Sequence, residues 1–146
     1  MVRFLYNVLM HLLIPAALIR LSWRGRREPG YTRHVSERFG VLSPKQADGA
    51  DIWLHAVSAG ESIAAAPLIE ALLAQGHTLV LSTTTPAGRA QLTRQFGGRV
   101  RVCYAPFDLR SAIGQFLDHV RPKLALMIET EIWPNWMSVC TARGIP

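Results

Sequence analysis

The chain is poor in the residues that anchor covalent or metal chemistry. It has two cysteines in 146 residues, Cys103 and Cys140, with no Cys-x-x-Cys spacing, so they read as reduced structural thiols rather than a disulfide framework or a zinc site. The five histidines, His11, His34, His55, His77 and His119, are scattered without ligand spacing, so no metal is expected. No glycine run matches the dinucleotide or P-loop fingerprints. Acidic residues are scarce at the N-terminal end. Residues 1–47 carry eight Lys or Arg against Glu28 and Glu37, whereas residues 48–146 carry eight basic and eight acidic side chains. The formal charge of +6 therefore belongs to the first third of the chain. A neutral remainder with no basic aromatic face argues against a nucleic-acid partner.

Charge is absent altogether from residues 4–19, FLYNVLMHLLIPAALI. That run is slightly short of the roughly 20 residues a helix needs to cross a bilayer, and Asn7, His11 and Pro15 interrupt it. A short signal anchor, a helix lying in the interface and a cleaved signal peptide all fit, with a buried apolar helix beside them. Cleavage fits least, because no small-x-small site precedes the arginines. The basic residues that follow suit a collar at an anionic membrane surface, so residues 4–27 are expected to meet a membrane from the cytoplasmic side. The organisation expected is a membrane-anchor helix over 1–22, a basic juxtamembrane segment over 23–47, and a domain over 48–146.

With 49% hydrophobic residues that domain can bury an ordinary core. After a connector, SPKQADGAD (43–51), strand and helix patterns alternate. Strands are expected over 51–57, 78–84, 99–105 and 123–129. Helices are expected over 61–76, from Pro86 to Phe96, from Leu109 to Val120, and from Trp133 to about Ala142. Strands that are each followed by a helix imply an α/β fold, a Rossmann-like parallel sheet with flanking helices, preceded by the N-terminal apolar helix. The last residues, GIP, stand where a fifth strand would begin, which reads as an interruption within a larger α/β protein.

Open parallel sheets bind ligands outside the carboxyl ends of their strands. The residues following each strand are Ser58, Gly60 and Glu61; Thr83, Thr84, Thr85 and Gly88; Pro106, Phe107 and Asp108; and Glu129, Thr130, Glu131, Trp133 and Asn135. Each has a plainer reading. Ser58 and Asp108 suit helix N-caps, Glu61 complements a helix dipole, the threonines suit a turn, and His55 suits a core position. Glu129 is harder to account for, because it ends an apolar strand where an unpaired carboxylate is costly to bury. Two carboxylates with hydroxyls and a glycine between them suit sugar chemistry, in which one carboxylate removes the proton of an acceptor hydroxyl and the other favours positive charge at the anomeric carbon. A membrane-anchored, non-catalytic nucleotide- or phosphate-binding module, using the helix N-termini at Gly60 and Gly88, remains the alternative.

The segments IWLHAVSAGES (52–62), STTTPAG (82–88), YAPFDL (104–109), RFG (38–40) and MIETEIWPN (127–135) resemble the 3-deoxy-D-manno-octulosonic acid (Kdo) transferases. The resemblance covers essentially the whole chain, and the SxGE and ExExWPN pair is its most specific part. It implies the first half of a two-domain GT-B glycosyltransferase, with the acceptor bound mainly by this half and the donor mainly by the other. The reaction implied is inverting transfer of Kdo from CMP-Kdo to a lipid A precursor in lipopolysaccharide synthesis, at the cytoplasmic face of the inner membrane and with no metal or other cofactor. Glu61 is then the general base, and Glu129 assists the transition state. Ser58, Gly60, Thr83, Thr84, Thr85, Glu131 and Asn135 would contact substrate. Arg89 departs from the family, which usually has a small polar residue there. The donor-binding half lies outside this sequence, so the chain alone is expected to be inactive.

Overall fold

The computed structural model describes residues 1–44, 48–129 and 131–146; part of the expected connector and Thr130 lie outside the described residues. Four strands, β1 (Ile52–His55), β2 (Leu79–Thr83), β3 (Arg101–Tyr104) and β4 (Leu124–Met127), form one parallel sheet in the order β3-β2-β1-β4. The expected α/β fold is thereby borne out. Alternate residues of β1 serve opposite faces, as the period of two requires. Ile52 and Leu54 join a core cluster with Ile69, Leu81, Leu92 and Phe96. Trp53 joins the other, with Cys103, Phe116 and Trp136.

The helices that cover these faces follow local signals. Helix α4 (Pro86–Phe96) begins behind Thr85, whose hydroxyl accepts from Gly88 N at 3.0 Å, and has proline in its first turn, where no N–H is needed. Helix α5 (Arg110–Val120) buries Ala112, Ile113, Phe116, Leu117 and Val120 along one stripe. Helix α6 (Pro134–Ala142) packs beside it. The helix expected over 61–76 is two helices, α2 (Ala59–Ala64) and α3 (Ala66–Ala74). Pro67 has no N–H to continue the ladder, and that divides them.

Helix α1 (Val2–Gly25) has 24 residues, longer than the apolar run, and extends about 36 Å. Its half-buried residues Tyr6, Met10, Ile14, Ala17, Leu21 and Gly25 recur at helical spacing, and this stripe faces the carboxyl rim of the sheet. The Tyr6 hydroxyl donates to Asp108 Oδ2, and the Arg24 guanidinium lies 4.5 Å from the Tyr31 ring centre. On the opposite side Leu5, Leu9, Leu12, Ile19 and Trp23 are exposed. The helix is long and apolar enough to cross a membrane.

The segment expected to be a basic juxtamembrane collar is packed into the domain over part of its length. Tyr31, Glu37, Arg38 and Leu42 are buried. A 3-10 turn over Val35–Phe39 ends at Gly40, whose φ of 84° and closeness to the Ala112 carbonyl leave no room for a side chain. Glu37 accepts from both Arg89 Nη atoms and from Tyr104 N, the latter at 2.7 Å. Arg89, the departure from the family pattern, thus answers a buried carboxylate.

Candidate functional site

Because β1 lies between β2 and β4, the chain reverses its direction of winding there. The loops after β1 and β4 flank the switch point, where an open α/β sheet leaves a crevice. Ile128 N donates to His55 O at 2.9 Å, which carries the β1–β4 pairing to the rim. Glu61 and Glu129 follow these two strands, so both stand at the same edge of the sheet.

Glu61 is half-buried in a reciprocal cap. Ser58 Oγ accepts from Glu61 N at 3.3 Å, while the Glu61 carboxylate accepts from Val57 N at 2.7 Å and from Ser58 Oγ at 3.0 Å. This is the S-x-x-E capping arrangement, with the carboxylate reaching one residue further back than usual. The plain roles expected of Ser58 and Glu61 are therefore real, and they hold the carboxylate at a defined place. A carboxylate has about four lone-pair positions, so two remain after these bonds. A Cβ at Gly60 would meet only Ser58 Oγ, at an ordinary 3.8 Å, so nothing within the chain demands glycine there.

Glu129 is exposed, so the cost of burying an unpaired carboxylate at the end of an apolar strand does not arise. The strand's last residues turn outward, with Glu129 in the left-handed region at φ 69°, uncommon for a residue other than glycine. Strain of this kind costs on the order of 1–3 kcal/mol and requires support from its surroundings. Half-buried Glu131 accepts from Trp133 Nε1.

The three threonines converge on one atom. Thr83, Thr84 and Thr85 direct their hydroxyls to Val57 O at 2.8, 3.1 and 3.5 Å, tying the loop after β2 to the loop that carries Ser58. Thr83 is fully buried, and Gly88 packs so tightly that a Cβ would fall 2.3 Å from Thr83 Oγ1. Asn135 is also buried; its Nδ2 donates to Asp108 O at 2.7 Å. Thr83 and Asn135 thus shape the rim from within, whereas Thr84 and Thr85 line a cavity. Asp108 is a cap, as expected, but for a different helix. Its carboxylate accepts from Asn135 N and Trp136 N at the start of α6, and Leu109 rather than Asp108 precedes α5.

His55 ends β1 with no exposure, its Nδ1 lying 2.9 Å from Ser82 Oγ and 3.1 Å from Ser82 O. Its ring stands edge-on to Trp136, and Nε2 has no partner among the described residues. Burial pulls its pKa down to about 4, against the opposing pull of the Ser82 backbone contact. Unfolding returns it towards 6.5. Between these values the unfolded state binds the extra proton, so stability falls as pH drops from 6.5 to about 4, by on the order of 3 kcal/mol, and changes little from this source below that. Unfolding free energies between pH 4 and 7 should show this slope in the native chain and lack it in His55→Gln.

Arg38 was not singled out by the sequence patterns as a site residue. It is 4% exposed, donates through Nη2 to Thr84 O at 2.9 Å, and its guanidinium carbon lies 4.2 Å from the Tyr104 ring centre. It lies in the segment that reads as a basic collar beside a membrane, and only the long-range packing reveals otherwise.

The fold and rim define an α/β domain of the ligand-crevice type, with carboxylates at its switch point. Residues 33–146 match the family described as 3-deoxy-D-manno-octulosonic-acid transferase (kdotransferase), and the chain belongs to that family. It is 34% identical over 152 residues to the 3-deoxy-D-manno-octulosonic acid transferase of Bordetella pertussis, covering 99% of this chain and 36% of that protein. The Haemophilus influenzae protein of the same name is 35% identical over 147 residues, covering 99% of this chain and 34% of its own length. A probable mitochondrial 3-deoxy-D-manno-octulosonic acid transferase of Arabidopsis thaliana is 33% identical over 144 residues, covering 97% and 32%. The chain spans about a third of the length of these curated relatives.

Proposed function

We propose that this chain is the acceptor-side part of an inverting glycosyltransferase that moves Kdo from CMP-Kdo to a lipid A precursor, at the cytoplasmic face of the inner membrane. The supporting observation is the placing of Glu61 and Glu129 beside the switch point. Glu61 takes the proton of the attacking acceptor hydroxyl, while Ser58 and Val57 N hold its carboxylate in place. Glu129, exposed at the rim, favours the positive charge that develops on the sugar as CMP departs. CMP is a good leaving group, so one base suffices for the attack. Gly60, Thr84, Thr85 and Glu131 contact substrate, and Thr83 and Asn135 fix the loops that carry them. The exposed apolar side of α1 fits membrane association, and the arginines at its end suit an anionic lipid surface.

The alternative phosphate-binding module finds less support. The N-terminus of α2 is covered by the Glu61 carboxylate, which repels an anion, and Gly88 N at the start of α4 is taken by Thr85. The test is transfer from CMP-Kdo to a lipid A precursor, assayed with the full-length protein and with the 146-residue chain. Product is expected from the first alone. Glu129→Gln in the full-length protein should lower kcat by about tenfold or more while leaving the acceptor KM nearly unchanged, the pattern of an interaction made mainly in the transition state. Turnover by the isolated chain would contradict the division of labour.

A further inference from the structure

Between α1 and the carboxyl rim lies a cavity of about 460 Å3. Its walls are mostly apolar, with Met10, Leu13 and Ile14 on the helix side and Phe107 and Trp133 on the domain side. Arg20, Arg24 and Arg38 also line it. A cavity of this size within the ordinary range for small-molecule sites, apolar with a few polar groups, has the composition of a ligand site rather than of a packing defect.

Arg38 makes the stronger case. It is 4% exposed, yet no carboxylate lies within ion-pair distance of it among the described residues, and its Nε has no hydrogen-bond partner. Its neighbour Glu37 is engaged by Arg89, which also lies against the Tyr104 ring. The other acid of the cavity, Asp108, is engaged by Tyr6, Asn135 N and Trp136 N. A buried guanidinium with no ion pair of its own, attracted only through space by a Glu37 already bonded to Arg89, is costly unless an anion completes it. Three guanidiniums favour a doubly charged phosphate monoester over a single carboxylate, since their forked donors match phosphate oxygens.

We propose that this cavity is a lipid site, which takes an acyl chain of a phosphorylated amphiphile along α1 and its phosphate on Arg38, with Arg20 and Arg24 beside it. The exposed apolar side of α1 would lie in the bilayer surface, so a chain can pass from the membrane around the helix into the cavity. Thr84 and Thr85 belong both to this cavity and to the tie on Val57, one residue before Ser58, so an amphiphile seated here has its head group beside the Glu61 loop. Equating that amphiphile with the sugar acceptor rests on the function proposed above; the lipid site itself does not.

The test is binding without any sugar donor. The chain, with Trp23→Phe to remove the tryptophan on the outer side of α1, is placed in phosphatidylcholine nanodiscs and titrated with phosphatidic acid brominated on its acyl chain. Bromine in the cavity quenches Trp133 and Trp136. Quenching is expected at a mole fraction at least tenfold lower than with equally brominated phosphatidylcholine. Arg38→Gln should erase that preference, and Ala17→Phe, which fills the cavity, should weaken quenching by both lipids. Equal quenching by the two lipids in the unaltered cavity, or no effect of Ala17→Phe, overturns the proposal even if Arg38→Gln fails to fold. Inorganic phosphate alone should not displace the brominated lipid; displacement would show an anion site with no part for the chain. In competition, an acylated glucosamine disaccharide phosphate displacing the probe better than unbrominated phosphatidic acid assigns the site to the acceptor. The reverse order overturns that assignment in favour of bulk phospholipid, and neither order bears on whether the whole enzyme transfers Kdo.

Discussion

Glu61→Gln in the full-length protein is expected to lower kcat by two to four orders of magnitude, the usual contribution of a positioned general base. The affinity for acceptor should stay within about threefold. Glutamine keeps the length and one acceptor oxygen of the side chain, so it can still receive Val57 N, but it cannot take a proton from a hydroxyl. Loss of the second capping bond, to Ser58 Oγ, costs at most about 1–2 kcal/mol of stability. Thermal unfolding therefore separates a damaged cap from a lost base. Glu61→Ala should lose both, and a variant with near-normal kcat would leave Glu61 only its role at the helix start.

Glu37→Ala should destabilise the domain by about 3–5 kcal/mol, the range for removing one partner of a buried ion pair. Glu37 is 3% exposed and joins Arg89 on α4 to Tyr104 N on β3, so the segment before the sheet is tied to two elements at once. With the carboxylate gone, the Arg89 and Arg38 guanidiniums, which both lie against the Tyr104 ring, repel each other with no negative charge supplied from that position. The repulsion is the larger part of the expected loss. Removing Arg89 as well should recover part of it, so the double variant Glu37→Ala/Arg89→Ala is expected to be less unstable than the sum of the two singles. Chemical denaturation of the four proteins measures that coupling. Additive losses would mean that the pair does not act as a unit.

The parallel sheet was legible because β1, β2 and β4 are short, nearly continuous apolar runs and every strand is followed by helix signals. The Thr85-Pro86 start and Phe96 end of α4 coincide with the observed helix, since both its cap and its first-turn proline are local. The division at Ala65 is not legible in the apolar pattern, because the spacing of Ile63, Ala66, Ile69 and Leu73 runs through it, and only Pro67 marks the break. Helix α1 is longer than its apolar run because Arg20 and Arg24 carry aliphatic stems that continue a helical face, which a count of uncharged residues ignores. Features that depend on distant partners were not legible. Asp108 has the local look of a cap for the helix that follows it, and only the fold brings α6 to it instead. Glu37 and Arg38, which fall in the segment expected to be a basic juxtamembrane collar, are among the most buried charges of the described residues.

The candidate site divides along the same line. Order along the chain sufficed to put Glu61 and Glu129 on one rim, because parallel winding sends every strand's end there, but only the sheet order makes β1 and β4 neighbours. It did not distinguish hydroxyls that face a ligand from hydroxyls bound within the protein, so Thr83 and Thr84 looked alike although the first is sealed and the second lines the cavity. Nor did it show that Glu129 stands in solvent, since the outward turn at φ 69° has no signature in residue type.

The central claim is that the acceptor sugar sits at the carboxyl rim beside the switch point. It is tested most directly by labelling the full-length protein with an acceptor that carries a diazirine next to its reactive hydroxyl, and mapping the adducts by mass spectrometry. The account predicts adducts within 58–61 and 129–135. Adducts at the opposite edge of the sheet, where Asp51, Thr78, Arg99 and Lys123 border a second cavity of about 560 Å3, would contradict it.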